Sequence, residues 1–212
     1  MVPSVISGGT ALDGEETIIQ TDGGGRWEIS LSGIALRTPQ LIRKWDAWTG
    51  YMAGGGQPFL VPLVSVQTAP RPIAGGVLAR PSSISADDEF FPESVRYAAP
   101  YIVAECVSGA LLRSTSIIIK VTQGARLEGG EKFSINGRAH KIVRVTARDG
   151  QEVDCVITPP TREAVPIGAA VNFEWPVVQC RAAIGQDLAA NLAFGRRAEV
   201  SVSFVEDFSN DG

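Results

Sequence analysis

The stretch Lys132-Phe133-Ser134-Ile135-Asn136-Gly137-Arg138-Ala139-His140-Lys141-Ile142-Val143-Arg144-Val145, continued by Asp149-Gly150 and by Glu152-Val153-Asp154-Cys155-Val156-Ile157, decides the fold class. Asn-Gly between two runs of β-branched and aromatic residues is the signal of a type I′ hairpin, because both central residues must take positive φ. A second reversal at Asp149-Gly150 makes a three-stranded meander of residues 132–135, 139–145 and 152–157. Outward from it, residues 116–121 form a strand around Ile117-Ile118-Ile119, Pro159-Pro160 stops the meander, and residues 170–173 add a strand after the Gly168 turn. Residues 177–184 and 199–205 complete the β text; in the latter Val200, Val202 and Phe204 share one face. The polar end, residues 209–212, is expected to fray.

Toward the N-terminus, residues 17–31 read as a hairpin turned by Gly23-Gly24-Gly25, with Trp27, Ile29 and Leu31 forming one apolar row. One helix follows at about 39–53: Thr38 caps it, Pro39 suits its first position, and Gly54-Gly55-Gly56 ends it. Leu41, Trp45, Trp48 and Met52 recur at helical spacing and predict a buried stripe. Residues 59–66 are a β run in which Pro62 implies a sheet edge or bulge. Residues 67–100 are rich in Pro, Gly and Ser and read as a long loop or arm of the kind that contacts a neighbour.

The 212 residues include 23 glycines and 13 prolines, which suits many short elements joined by turns. A net charge of −4 leaves no basic surplus for phosphates, so sequence-driven nucleic-acid binding is not expected. Cys106, Cys155 and Cys180 lie in apolar strand-like runs without CxxC spacing and read as buried hydrophobes in a reducing compartment. No apolar run is long enough for a membrane span and no leader is apparent, so a soluble, unsecreted chain without membrane insertion is expected.

No catalytic constellation emerges. There is no G-x-S-x-G elbow, and His140 is expected to be a surface or half-buried strand residue rather than a general base. Asp87-Asp88-Glu89, with Glu93, could gather a hard cation but lacks the calcium-loop pattern, so a solvated loop or a charged subunit contact is expected there. The two glycine runs are turns, since no phosphate-loop pattern accompanies them. Phe90-Phe91 and Trp175-Pro176 are apolar groups in loop-like text, suited to a satellite core or a partner interface. No catalytic residue, cofactor or metal is assigned, and the chain is not expected to be an enzyme.

Five segments stand out together: Asp22-Gly23-Gly24-Gly25-Arg26-Trp27, the glycine-ended helix before Gln57-Pro58-Phe59-Leu60-Val61-Pro62-Leu63, and Gly129-Gly130-Glu131-Lys132-Phe133-Ser134-Ile135. Ile157-Thr158-Pro159-Pro160-Thr161-Arg162-Glu163-Ala164-Val165 and Ala198-Glu199-Val200-Ser201-Val202-Ser203-Phe204-Val205-Glu206 complete the set. Together they resemble the tail-tip proteins of long-tailed, siphovirus-like bacteriophages and related gene transfer particles, the distal tail protein above all. The resemblance implies a mainly β protein: a tail-tube-like β-sandwich or barrel with one packed helix, plus a second small all-β domain. Residues 1–100, with a strand at about 177–208 returning, would be the ring-forming domain, and residues 101–176 the outer meander or barrel. It further implies a structural virion protein of the tail tip, assembled in the host cytoplasm. Its homohexameric ring would join the tail tube protein to the hub and host-recognition proteins and leave a channel through which DNA passes without specific binding. Another tube or completion protein, or a host-glycan-binding β module, is the alternative; the meander does not match the carbohydrate-binding sandwich of some distal tail proteins, so sugar recognition is not carried over.

Overall fold

The computed structural model describes all residues except 2–4, 11, 21–23, 64–72, 75–76, 79–82, 86–95, 99–101, 190–197 and 210–212. In chain order the elements are β1 (Val5–Thr10), β2 (Glu16–Gln20), β3 (Glu28–Leu36), the helix α1 (Pro39–Met52), a 3-10 turn (Ala53–Gly55), β4 (Phe59–Pro62), β5 (Ile73–Ala74), β6 (Val77–Leu78), β7 (Ser83–Ser85) and β8 (Arg96–Ala98). They continue as β9 (Val103–Cys106), β10 (Ser116–Gln123), β11 (Lys132–Ile135), β12 (Arg138–Asp149), β13 (Glu152–Thr158), β14 (Val177–Ala182) and β15 (Ala198–Glu206). The protein is thus mainly β with one α-helix. It divides into two compact units, residues 1–61 with 178–212, and residues 62–177. The division falls at 61–62, within β4, whereas the sequence reading places the boundary near 100. The amide of Leu63 then donates to the carbonyl of Pro176 at 2.8 Å, so the outgoing and returning segments are clasped together.

The first unit is a four-stranded sheet in the order β3-β15-β14-β4, with β1 and β2 forming a separate two-stranded ribbon. Residues 17–31 are therefore not one hairpin. β2 pairs with β1, while β3 pairs with β15, where Val200, Val202 and Phe204 supply a continuous buried face. Glycine-rich β1 carries little strand propensity, so its claim on β2 is not visible in sequence. The expected row of Trp27, Ile29 and Leu31 also breaks: Trp27 is buried, but Leu31 is 41% exposed. Leu31 pairs with Val202 and Ile34 with Val200, so β3 spends one residue more than β15 in this interval. Gly33, at φ 70°, sits in that bulge, and the extra residue shifts the inward phase to Ile34 and buried Leu36.

Helix α1 begins as expected, with Thr38 Oγ1 accepting the Leu41 amide at 3.2 Å. The buried stripe is shorter than its spacing predicts. Leu41, in the first turn, is 42% exposed, whereas Trp45 and Met52 are buried. The helix meets the sheet through its later turns: the Trp48 ring lies 5.2 Å from Trp45 and 5.8 Å from both Phe59 of β4 and Phe204 of β15, and those two rings are 5.2 Å apart. Gly55 then brings the end of the helix against β14. It has φ 97°, and a Cβ there would stand 2.6 Å from the carbonyl oxygen of Ala182. Gly55→Ala is expected to cost about 2 kcal/mol, through left-handed strain and a contact with rigid backbone. Gly50→Ala, in the last turn of α1 with nothing within 4 Å of the new Cβ, is expected to stabilise by about 0.5–1 kcal/mol. Urea midpoints of the two variants should move in opposite directions.

The second unit carries a five-stranded antiparallel sheet in the order β11-β12-β13-β10-β9, which contains the expected meander and extends it. Asn136 (φ 50°) and Gly137 (φ 76°) make the type I′ turn. Residues 170–173 touch both edges. The Val171 amide donates to Ala104 of β9, while Ser134 of β11 and Asn172 exchange both backbone bonds at 2.9 Å. The curled sheet is thereby closed around one core, in which Ile119, Leu127, Phe133, Ile142 and Phe173 are wholly buried. Within residues 67–100, read as a structureless arm, the described residues form two short antiparallel ladders, β5 with β6 and β7 with β8.

Candidate functional site

His140 follows from the meander itself. It pairs with Phe133 across the β11–β12 hairpin, so it faces the core and not the surface. Only 2% of it is exposed, its ring lies 5.5 Å from that of Phe133, and Nδ1–H donates to the carbonyl of Pro159 at 2.8 Å. Burial is the main force holding its pKa down to about 4; the Pro159 bond opposes this, and the nearby Arg162 and Arg138 charges add to it. A neutral imidazole in a packed core has no route to a substrate. The reading of His140 as a surface or half-buried residue is corrected: a polar residue beside Asn-Gly looks exposed until the register makes it Phe133's partner.

The three cysteines are buried free thiols. Burial raises the pKa of Cys106, and pushes Cys155 and Cys180 up to about 12. They are small core residues rather than nucleophiles. Among the described residues no three His, Cys, Asp or Glu stand together as metal ligands. Asp87-Asp88-Glu89, Glu93 and Phe90-Phe91 lie outside the described residues. No helix among the described residues is long and apolar enough to cross a membrane.

Two fastenings were not visible in sequence. Glu206 is buried and accepts the Trp27 amide at 2.9 Å, so the end of β15 is fastened to the residue that precedes β3. Next to it, burial works against ionised Asp207, but the Ser209 hydroxyl and amide and the Arg181 guanidinium, 2.9 Å away, hold its carboxyl down to about 2. Ser209, expected to fray, is held in this latch. In the second unit, Thr161 is 1% exposed and its hydroxyl receives the Ser114 amide at 2.8 Å. The same hydroxyl donates to Leu111 O, fixing a loop in which Arg113 takes φ 64°. Thr161→Val should cost about 1–3 kcal/mol by leaving these groups unpaired, measured as a lowered denaturation midpoint.

The described residues do offer surface suited to association. The β1–β2 ribbon pairs with no third strand among the described residues, and a lone two-stranded hairpin is marginal in water. Leu12 near its tip is completely exposed. β3, nine residues long, stands at the edge of its sheet with one side paired among the described residues. Charge is divided unequally. The first unit has seven Lys and Arg against eleven Asp and Glu, and the second has twelve of each, so the whole −4 lies on the first. Trp175, 59% exposed, is presented by a turn that Asn172 ties at both ends: Nδ2 donates to Trp175 O at 2.9 Å and Oδ1 accepts its amide at 3.0 Å.

No family model matches the chain, and no curated protein matches it.

Proposed function

We propose that the chain is a structural protein of a bacteriophage tail tip, working as a ring that joins the tail tube to the hub and host-recognition proteins and leaves a channel for DNA. The observation that carries this reading is the pair of open backbone edges in the first unit: the β1–β2 ribbon, which pairs with no third strand among the described residues, and the long edge of β3. Among the described residues both backbone surfaces lack a partner, which a neighbouring copy would supply. The mainly β, two-unit architecture and the sequence resemblance support it further. Sedimentation of the purified chain is expected to show a hexamer-scale species; a monomer at all accessible concentrations overturns the ring.

The charge division gives the reading a second consequence. Six copies carry −24, all of it on the unit expected to form the ring. An acidic or neutral lumen lets phosphates pass without sticking, whereas a basic lining would bind them with a steep salt dependence. No measurable duplex-DNA binding is expected at near-physiological salt. Micromolar affinity that collapses as salt rises would overturn the conduit.

A glycan-binding module is the second reading, favoured by Trp175 on its rigid turn, since an exposed indole face can stack on a sugar ring. Binding on a glycan array that Trp175→Ala abolishes would favour it over the ring.

A further inference from the structure

The outer face of the second unit holds three cations that have no carboxylate partner among the described residues. Lys132 and Lys141 stand directly opposite each other on β11 and β12. They point outward, because the adjoining pair, Phe133 and His140, fills the core. Arg144 follows on the same face: Lys141 pairs with Thr158 and Arg144 with Val156, two residues apart on β13, across a bulge at Val143. Lys141 and Arg144 are exposed, and Val143 is 53% exposed. None of the three cations joins an ion pair among the described residues, although Lys120 on the same sheet reaches Glu105 at 3.5 Å. Like charges directly opposite each other on neighbouring strands repel, so this patch gains most from an anionic partner.

The tip of the β1–β2 ribbon has the complementary character. It reads Leu12-Asp13-Gly14-Glu15-Glu16, and the first 25 residues contain four acids and no Lys or Arg. Among the described residues Asp13 caps its own turn, accepting the Glu15 amide at 3.1 Å, and Glu16 accepts the Ser7 hydroxyl at 2.8 Å. Leu12 has no cover. Three acids and one bare leucine thus match three cations and one bare valine in sign, number and kind.

We propose that the ribbon tip of one copy docks on the barrel face of a neighbouring copy, with Asp13, Glu15 and Glu16 against Lys132, Lys141 and Arg144 and Leu12 against Val143. The contact rests on the ring reading and names the surfaces that would hold neighbours together. It gives an otherwise unsupported ribbon its packing and relieves the Lys132–Lys141 repulsion.

The test is a charge swap read by sedimentation at about 0.15 M salt. The double variant K132E/K141E and the triple variant D13K/E15K/E16K should each weaken self-association at least tenfold while keeping the wild-type circular dichroism and melting temperature. Mixing the two should restore assembly, because each supplies the surface the other lacks. The milder K141Q should weaken assembly in the same direction and guards against misfolding of the reversals. Rings that persist unchanged in K132E/K141E overturn this contact and leave the ring reading standing. Failure of the mixture to recover also overturns it. Binding of heparin or duplex DNA that K132E/K141E abolishes without affecting assembly overturns it in favour of a polyanion. A wild-type chain that never associates overturns contact and ring together.

Discussion

Trp45→Ala is expected to lower the stability of the first unit by about 3–5 kcal/mol, the range for deleting a large aromatic from a packed core. The indole is only 7% exposed, its ring lies 5.2 Å from Trp48, and its Nε1–H donates to the carbonyl of Leu188 at 2.8 Å. Truncation therefore opens a cavity, removes the contact that seats Trp48 among Phe59 and Phe204, and leaves the Leu188 carbonyl without its donor. The same loop is secured from the other side by Gln186, whose side chain exchanges two hydrogen bonds of 2.8 Å with the backbone of Ser203. Loss of Trp45 thus loosens the join between helix, loop and β15 together. Leu41→Ala, on the nominal stripe but 42% exposed, and Lys44→Ala should each cost no more than about 0.5–1 kcal/mol. Equal tolerance of Trp45→Ala and Lys44→Ala in a denaturation series would show that the helix does not depend on this cluster.

The contrast between Leu41 and Trp45 shows where sequence reasoning holds and where it stops. Local chemistry was readable: Thr38 as the cap, Asn136-Gly137 as a type I′ turn, and Val200, Val202 and Phe204 as one buried face. Each depends on residues a few positions apart. Long-range pairing was not. The partner of β3 lies some 170 residues away in β15, and the bulge at Gly33 that reverses the inward phase after Leu31 exists only in that pairing. The same holds for the candidate surfaces. Lys132 and Lys141 are nine positions apart and became one cationic face only once the hairpin register set them opposite each other. Glu206 and Asp207 read as polar residues at the end of a strand, and nothing local marks one as the partner of the Trp27 amide and the other as the centre of a latch. His140 is the sharpest case, since its burial follows from register and its chemistry follows from its burial.

That burial sets the largest expected pH effect. The unfolded chain takes up a proton on His140 near pH 6.5, whereas the folded chain, with the imidazole held down to about 4, refuses it until much lower pH. The sign follows from proton counting. Between these values the unfolded state binds more protons, so the contribution is fully present above pH 6.5, falls as pH drops through the window, and is fully lost near pH 4. The loss amounts to about 3 kcal/mol, enough to matter in a domain of marginal stability. Asp207 acts later: its carboxyl, held down to about 2, gives support that is intact above about pH 4 and disappears only as pH falls toward 2. Because His140 lies in residues 62–177 and Asp207 in the other unit, acid should weaken the second unit first. Urea denaturation at pH 7, 5.5 and 4, followed by hydrogen exchange at β11, β12 and β13, should show that order. In His140→Asn the amide can still donate toward Pro159 but no longer titrates, so its stability should fall by well under half as much across the window. Parallel pH profiles for the variant and the wild-type chain would mean that His140 does not govern the acid response.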